Sequence, residues 1–152
     1  MANEYSVKEA EEQAGFRAGR SCNYNTFAIK QLIEKQLSVG KEIHLLFIDL
    51  KKAYDNIPLI KLWKALEEIR ISYTWIKTVN ELYRKRLSYI KLGGLLSEGF
   101  EVTKGLRQGC CMSPNLFKIY KQKASNIWKR KCRGMGYNVD NTMIYTLQFA
   151  DD

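Results

Sequence analysis

A chain of 152 residues, 45% hydrophobic and 27% charged, has enough apolar material for a packed core, which excludes a disordered chain. Lys and Arg outnumber Asp and Glu by 25 to 16, a net charge of +9; the surplus fits a polyanionic partner but does not prove one, since many basic proteins bind no nucleic acid. Four cysteines (Cys22, Cys110, Cys111 and Cys132) and a single histidine have spacings that suit neither a zinc knuckle nor a CxxC redox centre, and read as reduced thiols.

The opening MANEYSVKEAEEQ lacks the basic flank and apolar stretch of a secretory signal, and no apolar run is long enough to span a membrane. The expectation is an intracellular protein of the cytoplasm and/or nucleus, with no membrane partner.

In chain order, Ser21 is placed to cap a helix carrying Ile29, Leu32, Ile33 and Leu37 at helical spacing, which Gly40 ends. The apolar run Ile43-His44-Leu45-Leu46-Phe47-Ile48 predicts a strand buried on both faces, with His44 a core or sheet-facing residue. Asp55-Asn56-Ile57-Pro58 reads as a turn and helix start, Asp55 standing where a cap belongs; Leu59, Leu62, Trp63, Leu66 and Ile69 follow at helical spacing. Trp75, Ile76, Val79, Leu82 and Tyr83 predict another helix, and residues 87–104 a hairpin around Gly93-Gly94. Pro114 opens a long helix through Trp128, closed by Gly134 and Gly136. Tyr145, Leu147 and Phe149 alternate with Thr146, Gln148 and Ala150 as in a half-exposed strand. Strands interleaved with helices, one pair forming a hairpin, predict an α+β domain.

Chemistry concentrates in three acids. Asp49 follows the first predicted strand, and Asp151 and Asp152 follow the last. Carboxylates brought together at strand ends repel unless cations lie between them, and hard oxygen donors without His or Cys suit magnesium. Two such ions about 4 Å apart serve phosphoryl transfer. The plainer alternative is that strand-end aspartates form turns and caps. Asp55 lies about 20 Å beyond Asp49 on an extended chain, too far to share the pair, and is read as structural. Arg84, Lys85, Arg86, Lys91 and Lys104 fit either a nucleic-acid track or a solubilising face. Lys118, Lys121, Lys123, Lys129, Arg130, Lys131 and Arg133 read as a solvated helix face.

Four segments carry a resemblance. Phe47-Ile48-Asp49-Leu50-Lys51-Lys52-Ala53-Tyr54-Asp55 resembles the first palm motif of reverse transcriptases, and Gly105-Leu106-Arg107-Gln108-Gly109-Cys110-Cys111-Met112-Ser113-Pro114-Asn115-Leu116-Phe117 their RQG…SPxLF motif. Phe149-Ala150-Asp151-Asp152 resembles their aromatic-x-Asp-Asp motif, and Gln13-Ala14-Gly15-Phe16-Arg17-Ala18-Gly19-Arg20-Ser21 is similar to the QxGFRxGRS segment of non-LTR, LINE-type retrotransposon enzymes. The order is the family's, with 59 residues from Asp49 to Gln108 and 43 from Gln108 to Asp151.

The resemblance implies the fingers and palm portion of a right-hand polymerase, with antiparallel palm strands packed on helices. Residues 1–42 would be a fingers-like segment and 43–152 the palm core, with a fingers/palm hairpin near 87–104. It implies RNA-directed DNA polymerase activity with two Mg2+ ions (Mn2+ as substitute), an RNA template, a DNA primer and deoxynucleoside triphosphates. Asp49, Asp151 and Asp152 would be the catalytic metal ligands, joined by the Leu50 carbonyl. Arg17 and Arg20 would reach the triphosphate, Tyr54 would lie under the sugar, and Gln108 and Gly109 would line the nucleotide pocket, with Gly105 lending flexibility. Arg107, Lys104 and Lys91 would contact nucleic acid. Ending at the Asp-Asp motif, the chain reads as truncated and inactive alone.

Lys121, Lys123 and Ser125 occupy helix positions where apolar residues are expected, a sign of decay in a retrotransposon copy. A nonenzymatic remnant that at most binds nucleic acid therefore stands as the alternative, and a group II intron maturase or telomerase-like relative as a third reading.

Overall fold

The computed structural model describes residues 10–139 and 142–151. They fall into two compact units, one formed by Lys52–Tyr120, the other by the chain up to Lys51 with the chain from Lys121 onward.

The Lys52–Tyr120 unit holds nearly all of the buried apolar side chains. Helices α2 (Leu59–Glu68) and α3 (Tyr73–Tyr83) arise where apolar side chains recur at helical spacing, and that face is the one buried: Leu62, Ala65 and Leu66 on α2, Ile76, Val79 and Tyr83 on α3. Ile57, Leu106, Leu116, Phe117 and Ile119 complete this core. The N-cap of α2 is Pro58, in extended conformation, with no side-chain cap bond. Asp55 is therefore not the cap; its carboxylate is engaged elsewhere.

The hairpin forms as expected, as two ribbons: β1 (Leu87–Ser88) pairs with β4 (Phe100–Glu101), and β2 (Lys91–Leu92) with β3 (Leu95–Leu96), all antiparallel. Gly93 and Gly94 turn the tip with φ of +54° and +88°, values that a two-residue turn with two left-handed residues needs and that glycine adopts without strain.

In the other unit, helix α1 (Cys22–Ser38) has Ser21 at its N-cap, without a side-chain cap bond, and ends before Gly40, whose φ of +65° breaks the turn. It buries none of its residues. A short antiparallel pair, β5 (Tyr137–Val139) with β6 (Thr142–Ile144), was not anticipated. Helix α4 (Ser113–Lys131) supplies its first turns to one unit and its remainder to the other.

Two predicted strands do not form. Residues 43–48 adopt no ladder, and Leu46 (75% exposed) and Phe47 (78%) face solvent. His44 is likewise exposed, 3.9 Å from Glu42, and is no core residue. A strand buried on both faces needs a neighbour for its backbone groups, and apolarity announces that need without supplying the neighbour. Residues 145–149 form only an isolated parallel bridge, Gln13 with Gln148. Tyr145, Thr146, Leu147 and Phe149 are all half-buried and the polar Gln148 is the buried one, so the alternation marks no buried face. The α+β composition stands, as helices with small antiparallel ribbons. No helix among the described residues is long and apolar enough to cross a membrane.

Candidate functional site

Within the Lys52–Tyr120 unit, residues from the first motif and the RQG motif meet. Gly105 N–H donates to Ile57 O at 2.8 Å and Leu106 N–H to Tyr54 O at 2.8 Å. Gln108 Nε2 donates to Asp55 Oδ1 at 3.2 Å, so Asp55 ties the two motifs together. The Tyr54 ring stacks on Phe117 with centroids 4.8 Å apart and planes within 7°. Gly105, at φ +85°, lies so close to Asp55 that a Cβ would come within 2.7 Å of its carbonyl oxygen. Its missing side chain admits a neighbouring backbone of the same chain, where the sequence reading had a flexible pocket wall. Gly109 has φ +80° with open space where a Cβ would be, so conformation alone favours glycine there.

Basic residues of this unit divide by burial. Arg86 is buried: Nη1 donates to Gly105 O at 2.9 Å, Nη2 to Lys104 O at 3.2 Å, and the guanidinium lies over the Tyr83 ring at 4.9 Å. Burial lowers its pKa from the ordinary value, with the neighbouring Arg107 adding to the shift. Arg86 is thus neither a nucleic-acid contact nor a solubilising charge but a bolt on the loop before the RQG motif. Arg107 donates to Leu82 O at 2.7 Å and Lys104 Nζ to Asn56 Oδ1 at 3.0 Å; both side chains remain exposed, as does Lys91 on β2.

The other unit joins the QxGFRxGRS-like segment to the segment bearing Asp151. Ala14 N–H donates to Gln148 O and Gln148 N–H to Glu12 O, each at 2.9 Å. The buried Gln13 side chain accepts from Gly15 N–H at 2.8 Å and from Ala150 N–H at 3.0 Å, and donates to Ala150 O at 3.2 Å. Asn25 adds a donor to Gln148 O at 3.0 Å. Gly15 is packed so tightly on Ala150 that a Cβ would stand 2.0 Å from its nitrogen.

Facing these segments on α4 is a polar stripe with period four. Lys121 Nζ donates to Ala150 O at 3.0 Å, Ser125 Oγ accepts from Gln148 Nε2 at 2.9 Å, and Lys129 pairs with Glu12. Lys121 and Ser125 are therefore fitted to polar partners, which corrects the reading of these positions as decay. The solvated-face reading of the helix is corrected too: Lys118 is buried and Lys121 and Lys129 are half-buried, while Lys123, Arg130, Lys131 and Arg133 are exposed. The sequence assigns Gln13 no role beyond its place in the QxGFRxGRS-like segment. Its partner lies 137 residues away, and no local pattern carries that information.

Arg17 and Arg20 both engage Glu11, Arg17 at 2.9 Å, and Arg20 also lies over the Tyr24 ring at 5.7 Å. Hydrogen bonding from Arg17 foremost, with the charges of both guanidiniums and the hydrogen bond from Arg20, holds the Glu11 carboxyl below its ordinary range against the opposing effect of burial. The two arginines thus converge on one anionic group, the geometry that a phosphate also takes.

Of the expected metal ligands, Asp49 is exposed and does not end a strand, Leu50 is 40% exposed, and Asp151 is half-buried; Asp152 lies outside the described residues. The donor chemistry suits a hard divalent cation, being carboxylate oxygen with no soft ligand. Among the described residues, no three His, Cys, Asp or Glu side chains converge as a metal cluster.

The sequence matches the family described as Reverse transcriptase (RNA-dependent DNA polymerase) over residues 2–152. It is also similar to the Transposon TX1 uncharacterized 149 kDa protein of Xenopus laevis, with 21% identity over 134 residues. That similarity covers 88% of this chain but 10% of the relative. The matched family as a whole uses divalent metal ions and binds a nucleic-acid template, a primer and deoxynucleoside triphosphates. With the motifs in the family's order, joined in pairs within each unit, and a family match that runs through all of them, this chain belongs to the reverse transcriptase family.

Proposed function

We propose that this chain is the fingers and palm portion of a non-LTR, transposon-borne reverse transcriptase whose complete protein copies RNA into DNA in the cytoplasm or nucleus. In this reading Asp49, Asp151 and Asp152, with the Leu50 carbonyl, hold two magnesium ions, which supply charge neutralisation at the transferring phosphoryl group. Arg17 and Arg20 exchange Glu11 for the triphosphate. Tyr54 lies under the sugar, where a bulky ring disfavours a 2′-hydroxyl. Gln108 and Gly109 line the nucleotide pocket, and Arg107, Lys104 and Lys91 follow the primer–template. Residues 1–42 belong to the fingers and 43–152 to the palm, with the hairpin near 87–104 between them.

The observation that carries the reading is the joining of the first and RQG motifs, through the Gln108–Asp55 hydrogen bond and the Tyr54–Phe117 stack. That hydrogen bond spans 53 positions of sequence and supports the reading by holding two of the family-like motifs side by side. The transposon setting rests on the GFRxGRS wording and on the named origin of the TX1 relative.

The test is magnesium-dependent primer extension on poly(rA)/oligo(dT), by the chain alone and joined to its native downstream sequence, with Asp49→Ala as control. Extension that vanishes in the control supports the polymerase. A folded longer protein that extends nothing overturns it and leaves the nonenzymatic remnant.

A further inference from the structure

We infer that Gln13 and Lys121 are positioning residues that set the aim of the Asp151 carboxylate by fixing the peptide unit before it, an inference that rests on Asp151 being a metal ligand. Ala150 has φ of +55°, in the left-handed region where an L-residue is strained and stays only if its surroundings hold it. Three side-chain contacts do so. The Gln13 amide closes on both polar groups of Ala150, accepting from N–H at 3.0 Å and donating to the carbonyl at 3.2 Å. Lys121 Nζ donates to the same carbonyl at 3.0 Å.

That carbonyl belongs to the peptide plane whose nitrogen is Asp151's own. Rotation of the plane swings the Asp151 Cα–Cβ bond, so two donors on one carbonyl restrict where the carboxylate points. Gln13 is 4% exposed, and its oxygen is shared between Ala150 N–H and Gly15 N–H, which leaves the amide one orientation that satisfies all its partners. Gly15 makes the approach possible, since any Cβ would overlap Ala150 N at 2.0 Å. Lys121 lies 29 residues before its acceptor and brings the only formal charge among these contacts.

The test uses the whole chain with Mn2+ as probe. Titration followed by electron paramagnetic resonance gives the affinity, and amide hydrogen exchange is read at Ala150 and Asp151. The variants are Lys121→Met, Lys121→Arg, Gln13→Ala, Gln13→Glu and Asp151→Asn, with the exposed Lys131→Met as control. We expect Lys121→Met and Gln13→Ala to weaken Mn2+ binding by about tenfold or more and to speed exchange at both amides. Lys121→Arg should recover most of the affinity, and Lys131→Met should behave as the parent. Gln13→Glu keeps the acceptor for Gly15 and Ala150 but replaces the donor with a buried acid, so Lys121→Met, which leaves the Gln13 contacts in place, decides the test if the Gln13 variants do not fold. If Asp151→Asn abolishes Mn2+ binding while Lys121→Met and both Gln13 variants bind as the parent, the positioning role is overturned alone. If Asp151→Asn binds Mn2+ as well as the parent, the metal-ligand reading falls, and the positioning role with it.

Discussion

Gly105 shows how one absent side chain fastens two motifs. Its φ of +85° and the 2.7 Å separation between a notional Cβ and Asp55 O are independent demands. Gly105→Ala should therefore destabilise the fold by about 3 kcal/mol, from backbone strain and overlap together. Gly134, at φ +86° with nothing within 4 Å of its notional Cβ, provides the comparison. Gly134→Ala meets the conformational demand alone and should cost about 1 kcal/mol. Urea midpoints of the two variants check this; equal losses would mean that the Gly105–Asp55 approach does not constrain the fold.

At the scale of elements, Arg86 links the start of the hairpin to the loop that opens the RQG motif. Its two hydrogen bonds to the carbonyls of Lys104 and Gly105 are charge-assisted, and removal of the donor leaves those acceptors without it. Arg86→Met keeps the aliphatic bulk and should lower stability by about 2 kcal/mol. Arg86→Lys, which keeps charge without the planar fork, should recover only part of the loss. Thermal denaturation of both variants decides; full recovery with lysine would make charge, not geometry, the reason for arginine.

Helices α2 and α3 were legible in the sequence because amphipathic spacing is a local property, and so was the hairpin tip, where Gly93-Gly94 announces its own turn. Residues 43–48 were misread because a strand is defined by a neighbour, and apolar content does not name one. The partners of Gln13, Lys121 and Ser125 were hidden for the same reason. A lysine in an expected apolar face looks like an error until the carbonyl that it meets, from a segment 29 residues on, is known.

Over the whole molecule, burial is distributed unevenly. In the Lys52–Tyr120 unit the core runs through Ile57, Leu62, Leu66, Val79, Leu116 and Ile119, each 2% exposed or less. In the other unit, the described buried residues are Gln13, Ala14, Gly15, Ser125 and Gln148. Apolar burial is the dominant source of stability, and a net hydrogen bond contributes about 1 kcal/mol. Native-state hydrogen exchange should accordingly show the amides of α2 and α3 opening only with global unfolding, and those of α1 opening at much lower free energy. Equal protection in both would contradict this division.

The stripe of Lys121, Ser125 and Lys129 also governs which changes of length the chain tolerates. A helix turns by about 100° per residue, so one codon gained between Lys121 and Ser125 would swing the later two side chains away from Gln148 and Glu12. Four codons would come back almost into phase but carry both side chains about 6 Å along the axis, out of reach of the same partners. At the Gly93-Gly94 tip, where the flanking side chains are exposed and a notional Cβ meets nothing, one codon more or less disturbs no packed neighbour. Insertions and deletions in a diverging lineage of this sequence should therefore accumulate at the tip of the hairpin and be purged from α4.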